Sequence, residues 1–315
     1  MSRPGRVLSI QSHVVHGHVG NKSAVFPMQL LGLDVDPVNS VQFSNHTGYS
    51  AGFTGDRLSG EQLATLVAGL EKNALLAGFT HLLTGYIGDV SFLRHLLAVV
   101  AKLRQVNPDL VYVCDPVMGD DGKLYVPEEL VAIYRENVVG LATILTPNQF
   151  ECELLSGCKI TDLASAAVAC DALHAKGPKV VFLTSSSLGD GDSLTVMISA
   201  TGGEGEGPAG PATRHQILIP KLEGYFTGTG DLIAATFLAW HHREPEEPPH
   251  SAAEKAVATV QAVLARTLER ARAGEGAGEG EGEGGRGAPP ELALIACKAE
   301  IECPTVSCRA TPLEI

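Results

Sequence analysis

The chain has 315 residues, a formal net charge of −13 and a hydrophobic fraction of 44%, enough apolar character for a substantial core. The negative charge disfavours a nucleic-acid partner, because phosphate binding needs concentrated Lys and Arg. No apolar run reaches the ~18 residues of a membrane span, no signal peptide is evident, and the seven cysteines contain no CxxC pair, so we expect a cytoplasmic protein with reduced thiols.

Short apolar strands alternate with longer helical patterns along most of the sequence. In chain order we predict a strand at 7–11, a helix at 21–31 capped by Asn21, a bent or edge strand at 35–43, a helix at 61–77, a strand at 81–84, a helix at 91–105, strands at 110–114 and 143–145, a helix at 162–176, a strand at 180–184, an antiparallel pair at 194–199 and 215–219, a buried helix at 232–240 and a long amphipathic helix at 251–272.

This alternation predicts an α/β fold: one doubly wound, mainly parallel sheet with helices on both faces and a small antiparallel extension. We expect a single domain over residues 1–315, with a flexible Gly/Glu-rich insertion at 274–290. The apolar residues 292–295 suggest that the chain then returns to pair once more. The helix at 61–77 is expected to bury one face, formed by Leu63, Leu66, Val67 and Leu70.

Ligands of such sheets bind at the carboxyl ends of the strands, and one segment there has the composition of a phosphate cradle. Gly228-Thr229-Gly230-Asp231 precedes the buried helix at 232–240. Two glycines allow backbone N–H groups to approach a phosphate, and the helix N-terminus adds unpaired donors and a partial positive charge. Asp231 beside them could accept the proton of an attacking hydroxyl. The alternative is a turn with a capping aspartate.

Asp115 and Asp120 follow a second strand and could hold Mg²⁺ directly or through water, or could simply be polar loop residues. Asn148 and Glu151 follow a third strand; they could face one ligand, or form a capping box at the start of a helix. Thr184 and Ser185 end a fourth strand and offer hydroxyls to a phosphate or a monovalent cation, a weak indication by itself.

Other phosphate and metal motifs are missing from the sequence. It contains no G-x-x-x-x-G-K-[ST] and no G-x-G-x-x-G at a helix start, which disfavours a P-loop enzyme and a dinucleotide site. The early histidines His13, His16 and His18 and the later pair His241-His242 lack the ligand spacing of a zinc site.

Together these segments resemble the ribokinase superfamily. Asp115-Pro116-Val117 and Thr146-Pro147-Asn148 are similar to its vitamin-kinase branch. The stretches Ser9–Val14 and Val38–Tyr49, with Leu83–Tyr86 and Tyr125–Glu128, resemble the pyridoxal kinases of animals almost letter for letter. The resemblance runs from about Arg6 to the C-terminus, apart from the Gly/Glu tract.

The resemblance implies a homodimeric enzyme that transfers phosphate from ATP to the 5′-hydroxyl of pyridoxal, pyridoxine or pyridoxamine, as in vitamin B6 salvage. It implies Mg²⁺ or Zn²⁺ with the nucleotide and K⁺ or Na⁺ as an activator. Asp231 would be the base, with Gly228, Thr229 and Gly230 as the anion hole. The implied substrate contacts are Ser12, Val19, Phe43, His46, Thr47, Tyr86 and Asp231.

The implied nucleotide contacts are Asp115, Tyr125, Asn148, Glu151, Thr184, Ser185, Leu222, Glu223, Gly224, Phe226, Thr229 and Gly230. The implied metal and monovalent-cation ligands are Asp115, Asp120, Thr146, Glu151 and Thr184.

Three features depart from the pattern of the family that the sequence resembles. The lid at 119–126 is shorter and lacks a Trp. Glu223-Gly224 stands where Asp-Ala is usual, and His18 replaces a Tyr.

Two other functions remain open from the residues. A hydroxymethylpyrimidine kinase would share the phosphate machinery, although the set Ser12, Phe43, Thr47 and Tyr86 favours pyridoxal. A non-catalytic vitamer-binding protein would need a damaged site, whereas Asp231 and both glycines are intact.

Overall fold

The computed structural model of the protein describes residues 5–189, 191–202, 212–273 and 290–315. The strands are β1 Arg6–Val14, β2 Asp34–Phe43, β3 Gly55–Arg57, β4 His81–Thr84, β5 Val111–Cys114, β6 Gly119–Asp120, β7 Lys123–Leu124, β8 Ile144–Leu145, β9 Val180–Ser186, β10 Ser193–Ala200, β11 Thr213–Pro220 and β12 Thr311–Pro312. The helices are α1 Asn21–Leu30, α2 Gly60–Lys72, α3 Val90–Val106, α4 Glu128–Ile133, α5 Gln149–Ser156, α6 Leu163–His174, α7 Thr229–Arg243, α8 Pro249–Arg272 and α9 Lys298–Glu302.

One ten-stranded sheet organises the fold, in the order β12-β11-β10-β9-β8-β5-β4-β1-β2-β3. The six central strands from β9 to β2 are parallel, and antiparallel pairs extend the sheet at both ends. The predicted doubly wound, mainly parallel sheet with an antiparallel extension is therefore confirmed. Pro37, which has no N–H to donate, lies in the part of β2 that β3 does not reach.

Helices cover both faces of the sheet, so the central strands are apolar on both sides. One buried layer packs α2 to α6 against residues such as Leu8 and Leu82. The other packs α1, α7, α8 and α9 against their alternate neighbours, such as Val7 and Leu83. The predicted buried helix is confirmed, because every residue from Leu232 to Trp240 is buried within α7.

Three local predictions are wrong. Asn21 does not cap α1: Gly20 precedes the helix, and the Asn21 side chain turns inward to accept from Ser9 Oγ (2.8 Å) and donate to the Val38 carbonyl (3.0 Å). Helix α2 stops at Lys72 instead of residue 77, because Ala74 has a φ of 56° and cannot continue a right-handed helix. Leu66, predicted for the buried face of this helix, is 49% exposed.

The third prediction is that the chain returns at residues 292–295 to pair once more with the sheet. Leu294–Cys297 is instead a 3₁₀ turn, because the Ala293 N–H bonds to Thr267 Oγ1 of α8 (3.0 Å) and not to a strand. The last sheet pairing comes from β12, against β11. The tract predicted to be flexible at 274–290 lies, except for Pro290, outside the described residues.

All seven cysteines fall in the described ranges, and none of them forms a disulfide. Across those same ranges, we find no helix with the length and apolar character that crossing a membrane requires.

Candidate active site

The first turn of α7 is held in place by a glycine that no other residue could replace without strain. Gly228 has a φ of 82°, in the left-handed region, and an added Cβ would overlap the carbonyl oxygen of His18. The helix begins at the next residue, so the first backbone N–H groups have no partner within the helix. Gly230 is exposed, so a ligand can reach this end of the helix.

Asp231 lies in that first turn but does not cap the helix. No side chain caps α7, and Asp231 Oδ2 instead accepts a hydrogen bond from the backbone N–H of Gly20 at 2.7 Å. Burial raises the pKa of this carboxyl group. The sequence alternative of a capping aspartate is therefore wrong, because the carboxylate is used by another element.

Gly20 connects Asp231 to the predicted substrate residue Ser12. Its φ is 55°, and an added Cβ would overlap the backbone carbonyl of Ser12. Ser12 is itself nearly buried, at the end of β1 where the register shifts against β2. The carboxylate, the glycine and the serine thus lie next to one another near the carboxyl end of β1.

Asp115 follows β5 and lies beside the same helix start. An added Cβ on Gly230 would be 3.6 Å from Asp115 Oδ2, an ordinary contact distance. Its Oδ1 accepts from Thr146 Oγ1 at 3.3 Å, whereas Oδ2 is buried without a hydrogen-bond partner. Burial first, then the charges of Glu151 and Asp231, raise its pKa well above the usual range. A buried, unpartnered carboxylate oxygen is costly unless a ligand satisfies it.

Asn148 and Glu151 form the capping box that the sequence offered as one alternative. Asn148 Oδ1 accepts from the Glu151 N–H (2.9 Å), and Glu151 Oε2 accepts from the Asn148 N–H (3.0 Å). The pair also fixes the start of the β6–β7 hairpin, because Glu151 Oε1 accepts from the Met118 N–H (2.9 Å) and Asn148 Nδ2 donates to the Gly119 carbonyl (2.8 Å). Burial, opposed by these hydrogen bonds, raises the pKa of Glu151 to about 7.

The acidic side chains fit a hydrated cation held partly by phosphate. The charges of Glu151 and Asp231 lie close enough to raise the pKa of Asp115. The charge of Asp120 likewise raises the pKa of Glu151. Within the described part of the chain, no three acidic, His or Cys side chains form a ready-made metal cage. Mg²⁺ needs no such cage, because it usually binds one or two carboxylates together with waters and substrate phosphates.

Two loops flank this centre on the side predicted for the nucleotide. Tyr125 follows the β6–β7 hairpin and lies beside Tyr225, a residue that the sequence did not indicate. Burial first, and then Tyr225, raise the pKa of Tyr125. Gly224 has a φ of 137° and lies against the Phe226 ring. Leu222 and Phe226 pack on the core beside α7 and α8, and Glu223 is exposed.

The predicted cation ligands are only partly brought together. Thr146 is buried and contacts Asp115, while Thr184 is half-buried and its Oγ1 donates to the Pro147 carbonyl at 3.3 Å. Asp120 accepts from the Asp121 N–H at 2.9 Å, on the hairpin. Ser185 is half-buried in β9.

The predicted substrate residues are only partly brought together. Val19 and Tyr86 pack against a small buried cluster that contains Phe43. The Phe43 ring lies 4.6 Å from that of Phe53, an aromatic residue that sequence analysis missed. His46 is buried nearby, whereas Thr47 is exposed in the turn that follows it.

The sequence and the fold are both similar to known proteins. The sequence model of a family described as phosphomethylpyrimidine kinase matches residues 83–280. A pyridoxal kinase from Arabidopsis thaliana is 58% identical over 85% of this chain and 84% of its own length. A pyridoxal kinase from Homo sapiens is 46% identical over 99% of this chain and 100% of its own length. The solved structure of a pyridoxal kinase from Leishmania donovani in complex with ADP and pyridoxamine superposes with a TM-score of 0.87, at 38% identity, over 98% of this chain and 99% of that one.

Proposed function

The chain belongs to the pyridoxal kinase family, and we propose that it transfers the γ-phosphoryl group of ATP to the 5′-hydroxyl of pyridoxal, pyridoxine or pyridoxamine. The observation that carries this proposal is the position of Asp231. Its carboxylate belongs to the first turn of α7, where the backbone donors are unpaired, and it accepts a hydrogen bond from Gly20, which packs against Ser12. A base at that point would have the phosphate on one side and the alcohol on the other.

Asp231 is proposed to accept the proton of the alcohol as the phosphoryl group moves. A primary alcohol is far too weak an acid for a carboxylate to deprotonate in advance, so the proton transfer occurs late. The hydrogen bond from Gly20 aims the carboxylate, and its raised pKa makes it a better proton acceptor than an exposed aspartate. The N–H groups beside Gly228 and Gly230 would stabilise the oxygens of the phosphoryl group.

Asp115 and Glu151 are the side chains best placed to hold Mg²⁺ or Zn²⁺ that arrives with ATP. The unpartnered Oδ2 of Asp115 would be available to such a cation, which would supply positive charge to neutralise the phosphate oxygens. We propose Asp120, Thr146 and Thr184 as the site of an activating K⁺ or Na⁺. Tyr125, Asn148, Ser185, Leu222, Glu223, Gly224, Phe226 and Thr229 complete the proposed nucleotide contacts.

The ring of the vitamin is proposed to lie between Phe43, Val19 and Tyr86, with His46 beside it and Ser12 and Thr47 on its polar edge. The packed cluster around Phe43 supports this placement. We further propose one catalytic domain, a homodimer and a cytoplasmic role in vitamin B6 salvage. Light scattering at micromolar concentration tests the dimer, and a monomer there would contradict it.

A second candidate is a kinase for a hydroxymethylpyrimidine, which the match to the phosphomethylpyrimidine kinase family favours. The deciding experiment offers purified protein both alcohols with Mg-ATP and measures kcat/KM for each. We expect the vitamin B6 alcohols to be preferred. Preference for the pyrimidine would select the second candidate, and vitamer binding without turnover would indicate a binding protein.

A further inference from the structure

One carboxylate outside the groups assigned above joins the two loops that border the proposed vitamin pocket. Glu291 Oε2 accepts a hydrogen bond from the His18 N–H, and its Oε1 accepts one from the Tyr49 hydroxyl, both at 2.9 Å. His46 Nε2 lies 3.4 Å from the same Oε1. The Glu291 side chain is only 15% exposed. Buried carboxylates with several donors are stronger constraints than surface ion pairs.

The surroundings of Glu291 are shaped to admit it. Gly17 has a φ of 93°, and an added Cβ there would overlap the carboxylate. The Nδ1 of His46 accepts from the Gly48 N–H at 3.1 Å, which places the proton of the neutral ring on Nε2, facing Glu291. The rings of His46 and Tyr49 lie 4.6 Å apart beside the carboxylate.

Glu291 is itself anchored to the core. The next residues, Leu292 and Leu294, are buried against the α7–α8 layer, and the Ala293 N–H bonds to Thr267 of α8. The two loops that it joins are 15–20, between β1 and α1, and 44–54, between β2 and β3. Both loops lack regular secondary structure. A carboxylate that is held in the core and bonded to both loops therefore sets the distance between them.

We infer that Glu291 is a positioning residue that sets the shape of the vitamin pocket, an inference that rests on the proposed function. Loop 15–20 carries Val19 and Gly20, whose N–H binds Asp231, and loop 44–54 carries His46 and Thr47. Glu291 holds these loops at one distance from each other. Among the described residues, the polar contacts of Glu291 are all made to these two loops and not to a residue proposed for the nucleotide, so it acts on recognition of the alcohol and not on that of ATP.

The test compares Glu291→Ala and Glu291→Gln with Glu302→Gln, a control at an exposed glutamate of α9. We expect KM for pyridoxal to rise roughly 10- to 100-fold in the alanine variant, which loses bonds to a charged acceptor. Glutamine keeps one oxygen acceptor, so its KM should rise by roughly 3- to 10-fold. KM for ATP should stay within about twofold throughout, and kcat should change less than KM for pyridoxal.

A double-mutant cycle keeps the inference testable if Glu291→Ala folds poorly. Tyr49→Phe removes one donor and should raise KM for pyridoxal about 3-fold in the wild-type background. In a Glu291→Gln background the same change should have a smaller effect, because the two side chains contact each other. Equal effects in both backgrounds would overturn the inference.

Hydrogen exchange supplies a readout that does not depend on turnover. In Glu291→Ala, the His18 amide and the amides of loop 44–54 should exchange faster, while those of α7 stay unchanged. Unchanged exchange, or an equal rise of KM for both substrates, would overturn the inference. If the wild-type protein fails to phosphorylate pyridoxal, the proposed function fails, whereas the exchange experiment still decides whether Glu291 joins the loops.

Discussion

Asp231 Oδ2 and the backbone N–H of Gly20 are 2.7 Å apart, and this hydrogen bond joins the first turn of α7 to the loop that enters α1. The two residues are 211 positions apart in sequence. The bond aims a carboxylate that would otherwise rotate freely, and it makes the position of the base depend on the loop that lines the vitamin pocket.

Replacement of Asp231 by Asn should lower kcat by about 10²–10⁴-fold, because the proton of the alcohol loses its acceptor. The amide can still accept from Gly20, so the fold and the affinity for ATP should be retained. Steady-state kinetics and nucleotide titration measure both quantities. Asp109→Asn, at an exposed position after α3, is the matched control; a wild-type rate for Asp231→Asn would show that Asp231 is not the base.

Replacement by alanine should have different effects at Gly228, which precedes α7, and at Gly230, which lies in its first turn. Gly228→Ala should unfold at a lower temperature, because alanine at a φ of 82° costs ~1 kcal/mol and its Cβ overlaps the His18 carbonyl. Gly230→Ala should keep its melting temperature, since its Cβ would meet only Asp115 Oδ2 at 3.6 Å, but should lose at least ~10-fold in kcat/KM for ATP by crowding the cradle. A fully active Gly230→Ala variant would mean that phosphate binds elsewhere.

Without nucleotide, stability should fall as pH rises because of Asp115 and Glu151. Burial raises the pKa of both groups, that of Glu151 to about 7, so the folded protein binds protons that the unfolded chain releases above about pH 4. The stability from these groups is complete below that unfolded value and is lost as pH rises through the folded value. Thermal unfolding between pH 5 and 8 measures the slope.

Asp115→Asn should raise the melting temperature at pH 8 by ~2–4 °C, equivalent to about 1 kcal/mol, and should flatten the pH dependence. The neutral amide removes the cost of a buried charge and can still accept from Thr146. The same change should abolish most Mg-ATP turnover. Asp109→Asn again provides the comparison, and a lower melting temperature for Asp115→Asn would contradict the assignment of a destabilising charge.

Removal of the Tyr225 hydroxyl should affect the nucleotide and not the vitamin. Tyr225→Phe removes the hydroxyl that lies beside Tyr125, between the two loops on the proposed nucleotide side, and KM for ATP should rise ~2–5-fold. KM for pyridoxal should stay constant. Tyr49→Phe, a hydroxyl loss on the opposite side of the site, should show the reverse pattern. A Tyr225→Phe variant with unchanged KM for ATP would exclude a role of this pair in nucleotide binding.

Local patterns predicted most of the fold because the signals were strong. Alternating apolar strands and amphipathic helices fixed the parallel sheet, and the all-apolar stretch of α7 marked a buried helix. The end of α2 was misplaced because apolar residues continue beyond Lys72, although a left-handed residue, Ala74, stops the helix. Leu292 and Leu294 are buried as expected, but a 3₁₀ turn buries apolar side chains as well as a strand does.

Sequence patterns indicated those candidate site residues that stand next to a predicted strand or helix. They did not indicate residues whose role depends on contacts between distant segments. Asp115, Asn148 and Asp231 each stand directly beside a predicted element, so their position at one edge of the sheet followed from the topology. Glu291 meets His18 across 273 positions and has no local pattern around it. Tyr225 was missed because it lies 100 positions from Tyr125 in the sequence and no local pattern links the two residues.

The attachment of the β6–β7 hairpin limits how this region can move. Gly119 is fixed by Asn148, and the return strand is fixed by the bond from the Tyr125 N–H to the Met118 carbonyl at 2.7 Å. Beyond that clamp the hairpin extends two residues, a reach of about 7 Å. A hairpin this short cannot cover the reaction centre alone, so the bound vitamin itself must displace water from it. When no acceptor alcohol is present, we therefore expect slow hydrolysis of ATP to ADP and phosphate as a side reaction.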